Sequence, residues 1–324
     1  MKALVQHVYG SSDALELKDV DPPTVGADDV LIRVHAAAIH IGDWHVMAGR
    51  PYLMRVIGFG FRGPKVRIRG MDVSGRVEAV GSAVTDFRVG DEVFGVCDGS
   101  LAEFACARAD KIALKPANLS FEQAASVPTS GVTALQALRD AGGVQPGQRV
   151  MIIGATGSVG SFAVQIAKAL GAHVTAVCST SGMELVRSIG ADQVIDYTRD
   201  PELASDAEPF DLVLDTAGNR PLSQLRRILA RQGTLVLVGG EGGGRVLGGM
   251  DRVLRASLLS GFGSQNLRGL ISVDRADDLR SLTALIEAGK VMPVIEMTFS
   301  FDDCVDAFRR LEAGHSRGKI VVAL

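Results

Sequence analysis

Cysteine is scarce and scattered. The 324 residues hold four, Cys97, Cys106, Cys178 and Cys304, and no two form a C-x-x-C pair. That spacing excludes a thiolate zinc knuckle and a thioredoxin-type motif, and single reduced thiols read as those of a cytosolic protein. No apolar run reaches the roughly 18 residues of a membrane span, and Met1 to His7 lacks the apolar core of a secretory leader. Neither sign of charge dominates. With 34 basic and 37 acidic residues the net charge is −3, so no bulk basic field draws in nucleic acid or an acidic membrane. Proline numbers 11 against 38 glycines, which excludes a Pro-rich linker protein and leaves a chain of many tight turns. Only three tyrosines, Tyr9, Tyr52 and Tyr197, and one tryptophan are available to chemistry.

What is present suits about two domains at about 150 residues each, with enough chain to bury a core without staples. Up to about residue 115 the sequence is β-rich. Met1 to His7, Val30 to Ile39, Val73 to Val84 and Glu92 to Val96 are Val, Ile and Ala runs between turn residues, with one helical stretch at Ile41 to Ala48. From about residue 120 the rhythm changes to alternating strand and helix. Arg149 to Ile153 is a short apolar run. Val159, Ala163, Ile166 and Leu170 then mark one helix face, and Val174 to Cys178 is the next strand. Further strands are predicted at Gln193 to Tyr197, Leu212 to Leu214 and Thr234 to Val238, with Leu222, Leu225 and Leu229 on a helix between the last two. This alternation predicts a parallel sheet covered by helices. The tail returns to mixed elements and closes on a strand at Ile320 to Leu324.

The sharpest local signal is the run Arg149-Val-Met-Ile-Ile-Gly154-Ala155-Thr156-Gly157-Ser158-Val159-Gly160. From Ala155 it reads A-x-G-x-x-G, a relaxed dinucleotide fingerprint between a strand and a helix. Gly157 lets the backbone approach a pyrophosphate, Gly160 lets helix and strand pack closely, and the helix start offers amides and a positive dipole end. An NAD-type site places an acid at the end of the second strand. Here that place holds Cys178-Ser179-Thr180-Ser181, hydroxyls that do not repel a 2′-phosphate, which favours NADPH; Arg187 and Arg199 are the candidate cations. The glycine-rich stretch Gly239 to Gly249 lacks the G-K-[S/T] ending of a phosphate loop and reads as a loop at the sheet's carboxyl edge.

Several segments together resemble the medium-chain dehydrogenase/reductase superfamily. They are Gly70-Met-Asp72-Val-Ser-Gly75-Arg-Val77-Glu-Ala-Val80-Gly81, Val89-Gly90-Asp91-Glu-Val93, Pro128-Thr-Ser-Gly-Val-Thr133, Gly190 to Tyr197, and Arg317-Gly318-Lys319. The resemblance spans essentially the whole chain. It implies an α/β protein: a GroES-like β-rich catalytic domain at 1–119 and 266–324, and a doubly wound Rossmann cofactor domain at 120–265. It also implies cofactor contacts from Thr129, Thr133, Ala155, Thr156, Gly157, Ser158, Val159, Gly160, Ser179, Thr180, Tyr197, Ala217, Val238, Gly239 and Lys319. For Thr129 and Thr133, helix capping and packing is the competing reading. Members commonly pair cofactor-domain sheet edges into homodimers, and the apolar run Val253 to Phe262 is either such an edge or an internal strand or helix.

Zinc decides the chemistry within that superfamily. His40 stands where zinc enzymes carry an early cysteine, and Gly70-Met71-Asp72 stands where they carry G-H-E. His40 and Asp72 make two ligands where a catalytic zinc takes three, and His35 and His45 read as surface or packing residues. The sequence is similar to the zinc-free quinone oxidoreductase branch, including reticulon-interacting-protein-like reductases, although that branch usually has Asn-x-x-Asp where this chain has His40-x-x-Asp43. Without a Lewis acid, an enone or quinone is a better hydride acceptor than an isolated carbonyl, because it delocalises the incoming charge. The expectation is an NADPH-dependent reductase of quinones or enones, with Tyr52, His40 and Asp43 as candidate catalytic residues and no metal. Two alternatives remain at this point: an alcohol or aldehyde dehydrogenase with an unrecognised metal, and a non-catalytic NADPH-binding protein.

Overall fold

The computed structural model describes residues 1–203, 208–239, 244–260, 263–314 and 316–324. Strand β1 (Lys2–Gln6) pairs antiparallel with β2 (Leu15–Asp19). Strand β3 (Asp29–Ile39) changes its burial along its length: inward residues alternate at Val30, Ile32 and Val34, then Ala36 to Ile39 are all buried. Both faces are covered there. Ala36 and Ala38 meet Phe121 and Ala125, whereas Ala37 and Ile39 meet Leu4, Met47 and Phe308.

Helix α1 (Ile41–Ala48) starts on a capping box made by His40 and Asp43 and stops at Gly49, whose φ of +59° suits a residue without a side chain. A short α2 (Tyr52–Met54) follows, then strands β4 (Asp72–Val80), β5 (Glu92–Val96), β6 (Phe104–Arg108) and β7 (Ile112–Leu114), and helices α3 (Phe121–Ala125) and α4 (Pro128–Gln136).

The next stretch alternates as its periodicity predicts: β8 (Arg149–Ile153), α5 (Ser158–Ala169), β9 (His173–Cys178), α6 (Met183–Ser188), β10 (Gln193–Asp196), β11 (Phe210–Asp215), α7 (Leu222–Arg227), β12 (Leu229–Leu237), α8 (Met250–Ser260) and β13 (Asn266–Gly269). The chain ends with α9 (Ala276–Glu287), β14 (Ile295–Ser300), α10 (Cys304–Glu312) and β15 (Lys319–Ala323). No helix among the described residues is long and apolar enough to cross a membrane.

Two compact units result. The first comprises Met1–Val132, Asp274–Gly289 and Pro293–Leu324, and the second Thr133–Val273 with Lys290–Met292. In the first, a seven-stranded sheet runs β14-β15-β3-β4-β5-β7, with β6 also paired to β3. In the second, six parallel strands run β10-β9-β8-β11-β12-β13. Counted within that unit the order is 3-2-1-4-5-6, the doubly wound dinucleotide-binding arrangement, and it reverses direction between β8 and β11. Met151, Ile153, Val177, Phe210, Val213 and Leu235 are among its buried core residues.

The structure differs from the sequence reading in two places. The unit boundaries fall at 132/133 and 273/274 rather than 119/120 and 265/266. The first shift arises because α3 packs on β3 through Ala125, and the second because Asn266–Gly269 supplies the sixth cofactor-sheet strand. Leu229 starts strand β12 instead of lining a helix. Of the alternatives open for the run from Val253, the helix is the one observed: it lies on α8 up to Ser260, while its end at residues 261–262 lies outside the described residues, as do residues 240–243 of the glycine-rich stretch.

The buried face of α5 makes a direct test of packing. Phe162 is fully buried there, whereas Phe61 is 76% exposed. Phe162→Ala is expected to cost about 3–5 kcal/mol of stability. Phe61→Ala should stay within about 0.5 kcal/mol, both read from urea unfolding by tryptophan fluorescence and circular dichroism.

Candidate functional site

In the first unit, β3 lies between β4 and β15 and brings their first residues together. Asp72 and Lys319 are both fully buried. Lys319 Nζ donates to Asp72 Oδ2 at 2.8 Å and to Ser130 Oγ at 3.4 Å. The other oxygen, Asp72 Oδ1, accepts from Thr129 Oγ1 at 2.5 Å and from the Thr129 amide at 3.0 Å. Burial pushes the Asp72 carboxyl up, but the Lys319 ammonium, His40 and the hydrogen bonds outweigh it and hold it below the usual carboxylate range. Thr129 and Lys319, expected at the cofactor, are thus members of this carboxylate cluster.

His40 caps α1. Its Nδ1 accepts the Gly42 amide at 3.0 Å, and its own amide donates to Asp43 Oδ2 at 2.9 Å. His40 Nε2 stands 3.5 Å from the same oxygen and is buried without a hydrogen bond. Burial raises the Asp43 carboxyl above its ordinary value, against the pull of His40. Asp43 also lines a cavity of about 360 Å³, together with Phe59, Arg69, Met71 and Asp98. Tyr52 is not in that lining. It is 40% exposed, with the Arg55 guanidinium 4.9 Å from its ring centre. His40 and Asp43 are therefore brought together and Tyr52 stands apart from the cavity wall. His45 accepts no catalytic geometry either; its Nδ1 lies 2.9 Å from Arg50 O.

A metal ion fits this donor set poorly. Met71 offers a weak sulfur, and a cation beside Asp72 would face the Lys319 ammonium at hydrogen-bond distance from the same carboxylate. Among the described residues no group of three or more His, Cys, Asp or Glu is placed to hold a metal.

In the second unit the turn after β8 is built for close approach. Gly154 has a φ of +79°, and a Cβ on Gly160 would sit 2.1 Å from Gly154 O. No side chain caps α5 at Gly157. Ala155 is fully buried, with its amide on Val177 O, while Thr156, Ser158 and Val159 are partly exposed around the turn. The loops after β11 and β12 converge on it. Thr216 Oγ1 donates to Ile153 O, and a Cβ on Gly239 would lie 2.2 Å from Thr216 O. Ala217 and Gly218 donate their amides to Asp215 Oδ1, and Val238 and Gly239 donate theirs to Asp215 O. The three loops leave the carboxyl ends of strands at the order reversal, where such sheets bind dinucleotides. Beside them, Ser179 Oγ lies 3.2 Å from Ser181 Oγ, Thr180 donates to Asp196, and the Tyr197 ring is 41% exposed. Thr133 donates to Ser272 Oγ at 3.0 Å.

Sequence reasoning missed three participants. Asp196 reads as an ordinary strand end until the fold sets it against Thr180. Arg252 reads as a helix-surface cation, yet its Nη2 donates to the fully buried Asp215 at 2.6 Å. Arg69 reads as a charge at the edge of a β-rich segment but is 4% exposed. Asp196 lies within the Gly190 to Tyr197 segment that carries the family resemblance, whereas no local motif marks Arg252 or Arg69.

Fold and glycine-lined turn define a dehydrogenase or reductase with a nicotinamide-type cofactor unit, and comparison with known proteins narrows the class. Residues 26–183 match the alcohol dehydrogenase GroES-like domain family and residues 189–322 the zinc-binding dehydrogenase family. The chain is 35% identical to the mitochondrial NAD(P)H oxidoreductase RTN4IP1 of Bos taurus, over 99% of this chain and 89% of that one. It is 32% identical to the chloroplast envelope quinone oxidoreductase homolog of Arabidopsis thaliana, over 99% and 98%. The quinone oxidoreductase structure from Coxiella burnetii superposes with a TM-score of 0.87 at 31% identity, covering 100% of this chain and 99% of the other. The chain belongs to the medium-chain dehydrogenase/reductase superfamily and is an oxidoreductase of its nicotinamide-dependent, quinone oxidoreductase-like branch. The cytosolic expectation is corrected by the same findings, since these relatives are named for the mitochondrion and the chloroplast.

The Asp72 cluster makes a pH prediction. A carboxyl whose folded pKa is depressed contributes stability that is complete above the unfolded value of about 3.9 and is lost as pH falls through the lower folded value. Asp72→Asn removes that contribution and leaves the Lys319 ammonium unpaired. The loss expected near neutral pH is about 3–5 kcal/mol, with a flatter acid limb in a pH series of urea midpoints. Asp72→Leu combined with Lys319→Met should recover much of it.

Proposed function

We propose that the protein reduces quinones or other conjugated carbonyl compounds with NADPH and without zinc. The observation that carries this reading is the Lys319 ammonium engaged with Asp72 where a metal-ligating set would be needed. An isolated ketone needs strong stabilisation of an alkoxide, which a metal normally supplies. A conjugated acceptor spreads the charge into an enolate or phenolate, which one or two hydrogen bonds stabilise. The names of the Arabidopsis relative and of the Coxiella structure, both quinone oxidoreductases, support the same acceptor class.

When bound, the reduced nicotinamide cofactor supplies hydride. The chain's own part is to bind and orient it. Ala155 to Gly160 fit the pyrophosphate, Ser179, Thr180 and Tyr197 the adenosine ribose, and Ala217, Val238, Gly239 and Thr133 the nicotinamide end. The preference for NADPH is supported by the state of Asp196. Its Oδ2 accepts from Thr180, and its Oδ1 accepts the Thr198 amide at 3.0 Å and hydroxyl at 2.7 Å. Both oxygens are engaged, so this carboxylate is a poor partner for ribose hydroxyls. Arg199 lies 3.7 Å from Asp196 Oδ2 with its side chain 79% exposed, free to turn toward a 2′-phosphate.

Steady-state rates on metal-assayed protein test the reading. Consumption of NADPH should exceed that of NADH by tenfold or more in kcat/KM with quinones and enones. Simple alcohols and aldehydes should turn over negligibly, and dialysis against a chelator should leave the rate unchanged. Arg199→Ala should narrow the cofactor preference. Chelator-sensitive oxidation of simple alcohols is the result that would replace this function with a metal dehydrogenase.

A further inference from the structure

The net charge of −3 averages over one segment of opposite character. Between Asp43 and Asp72 the chain has no Asp or Glu, while residues 50–69 carry six Lys and Arg. Two of these are engaged within the fold. Arg55 Nε donates to Gly49 O at 2.8 Å, and Arg69 is buried. The other four, Arg50, Arg62, Lys65 and Arg67, are exposed, and no carboxylate among the described residues pairs with any of them. Large apolar side chains stand exposed among them. Phe61 and Val56 are 76% and 71% exposed, and Phe59 and Val66 are exposed as well. Single exposed apolar residues are ordinary, but several in one stretch mark a surface that something covers. The segment is anchored. The Lys65 amide donates to Phe59 O at 2.9 Å and closes the loop 59–65, within which a Cβ on Gly60 would lie 2.1 Å from Gly63 O. Tyr9 Oη donates to Gly60 O at 2.6 Å, and the Gln6 amide donates to Arg67 O at 2.8 Å. Phe61 and Arg62 therefore stand at the tip of a fixed loop. Lys65 shares a cavity wall with the buried Asp43 and with Asp98, whereas Val56, Phe61, Arg62 and Arg67 lie outside that lining. Glu16, on β2 across β1, is paired with Lys18.

We propose that residues 50–67 dock the protein on an anionic lipid surface, with Phe61 and Val56 entering the acyl boundary and Arg62 and Arg67 meeting the headgroup phosphates. The inference stands apart from the reductase function proposed above. An interfacial anchor needs two components. Apolar side chains gain by leaving water for the acyl boundary, and cations gain from the negative surface potential of anionic lipids. Both occur here on one loop and its flanks, without the carboxylates that such a surface would repel. A second copy fits less well, because a two-fold contact would set one basic patch against another. Single-stranded nucleic acid is held by stacking on aromatic faces, and the aliphatic Val56 and Val66 offer none. An acidic protein partner would have to supply a pocket for each projecting apolar side chain, whereas a fluid acyl boundary receives them in any arrangement.

The test is co-sedimentation of the full chain with vesicles of phosphatidylcholine alone and of phosphatidylcholine with about a third phosphatidylserine. Wild type should bind the phosphatidylserine vesicles, bind phosphatidylcholine far more weakly, and be released as salt rises. Arg62→Glu combined with Arg67→Glu should lower the partition constant on the order of 10–100-fold, and Phe61→Ala should lower it about tenfold. Circular dichroism and urea midpoints show that each variant is folded. In Phe61→Trp, the added emission should be quenched by brominated acyl chains, which locates the contact even if the charge-reversed protein fails to fold. Absence of binding to phosphatidylserine vesicles at low salt, equal partition of wild type and the folded charge-reversed variant, or no quenching at residue 61 overturns the proposal. Tighter binding of polyglutamate or oligothymidylate than of these vesicles also overturns it, in favour of an acidic protein or nucleic acid. A concentration-dependent dimer that the two charge reversals abolish overturns it in favour of a second copy. Reductase rates are read without vesicles, so the function proposed above stands or falls separately.

Discussion

The ion pair between Asp72 and Lys319 organises the first unit. Its partners are 247 residues apart in the chain, and neither tolerates exposure to an apolar interior alone. Through Oδ1 the same carboxylate holds the first turn of α4 at Thr129. One charge therefore joins a central strand, the last strand and the helix by which the chain leaves for the second unit. The pair also determines what chemistry can be asked of the neighbourhood. A carboxylate engaged by an ammonium and two hydrogen bonds from Thr129 has little affinity left for a metal, which is why the function proposed above relies on hydrogen bonds.

The second unit works by the opposite means, through absence of side chains. Gly160 and Gly239 sit where a Cβ would strike a backbone carbonyl, and the space they leave lets three loops meet at the reversal of strand order. Hydroxyls and backbone amides line that meeting point, a composition suited to phosphate and ribose. Asp215 braces it from beneath, accepting the amides of Ala217 and Gly218 and the guanidinium of Arg252. The loops are thus positioned by a buried carboxylate just as the first unit's strands are.

How much of this was legible in the sequence depended on how local the cause was. Ala155 to Gly160 announced a tight strand-to-helix turn because the strand before it and the helix after it carry their own periodicity. Capping of α1 by His40 and Asp43 lies within four residues. Leu229 misled, because a leucine three or four residues from Leu225 fits a helix face as well as the strand it begins. Thr129 and Lys319 were read as cofactor contacts by resemblance, and only the register of β3 between β4 and β15 reveals the carboxylate they share. Arg69 was invisible for the same reason. Its burial follows from pairing with β1 on one side and Leu101 on the other, and nothing in Ile68-Arg69-Gly70 foretells it.

The late arrival of β15 bears on how the protein is made. Strand β3 has β15 along its far half, and the apolar face under Ala37 and Ile39 is covered by Phe308 and Ile320. On a ribosome delivering about 5–20 residues per second, roughly 200 residues must emerge between β7 and β15, a wait on the order of 10–40 s. Throughout that interval the nascent amino-terminal half carries an unpaired hydrophobic strand edge and an acid with no base. The inserted second unit, whose strands are contiguous in the chain, can fold during the wait. Translation speed and holding chaperones therefore act on the first half of this molecule far more than on its middle.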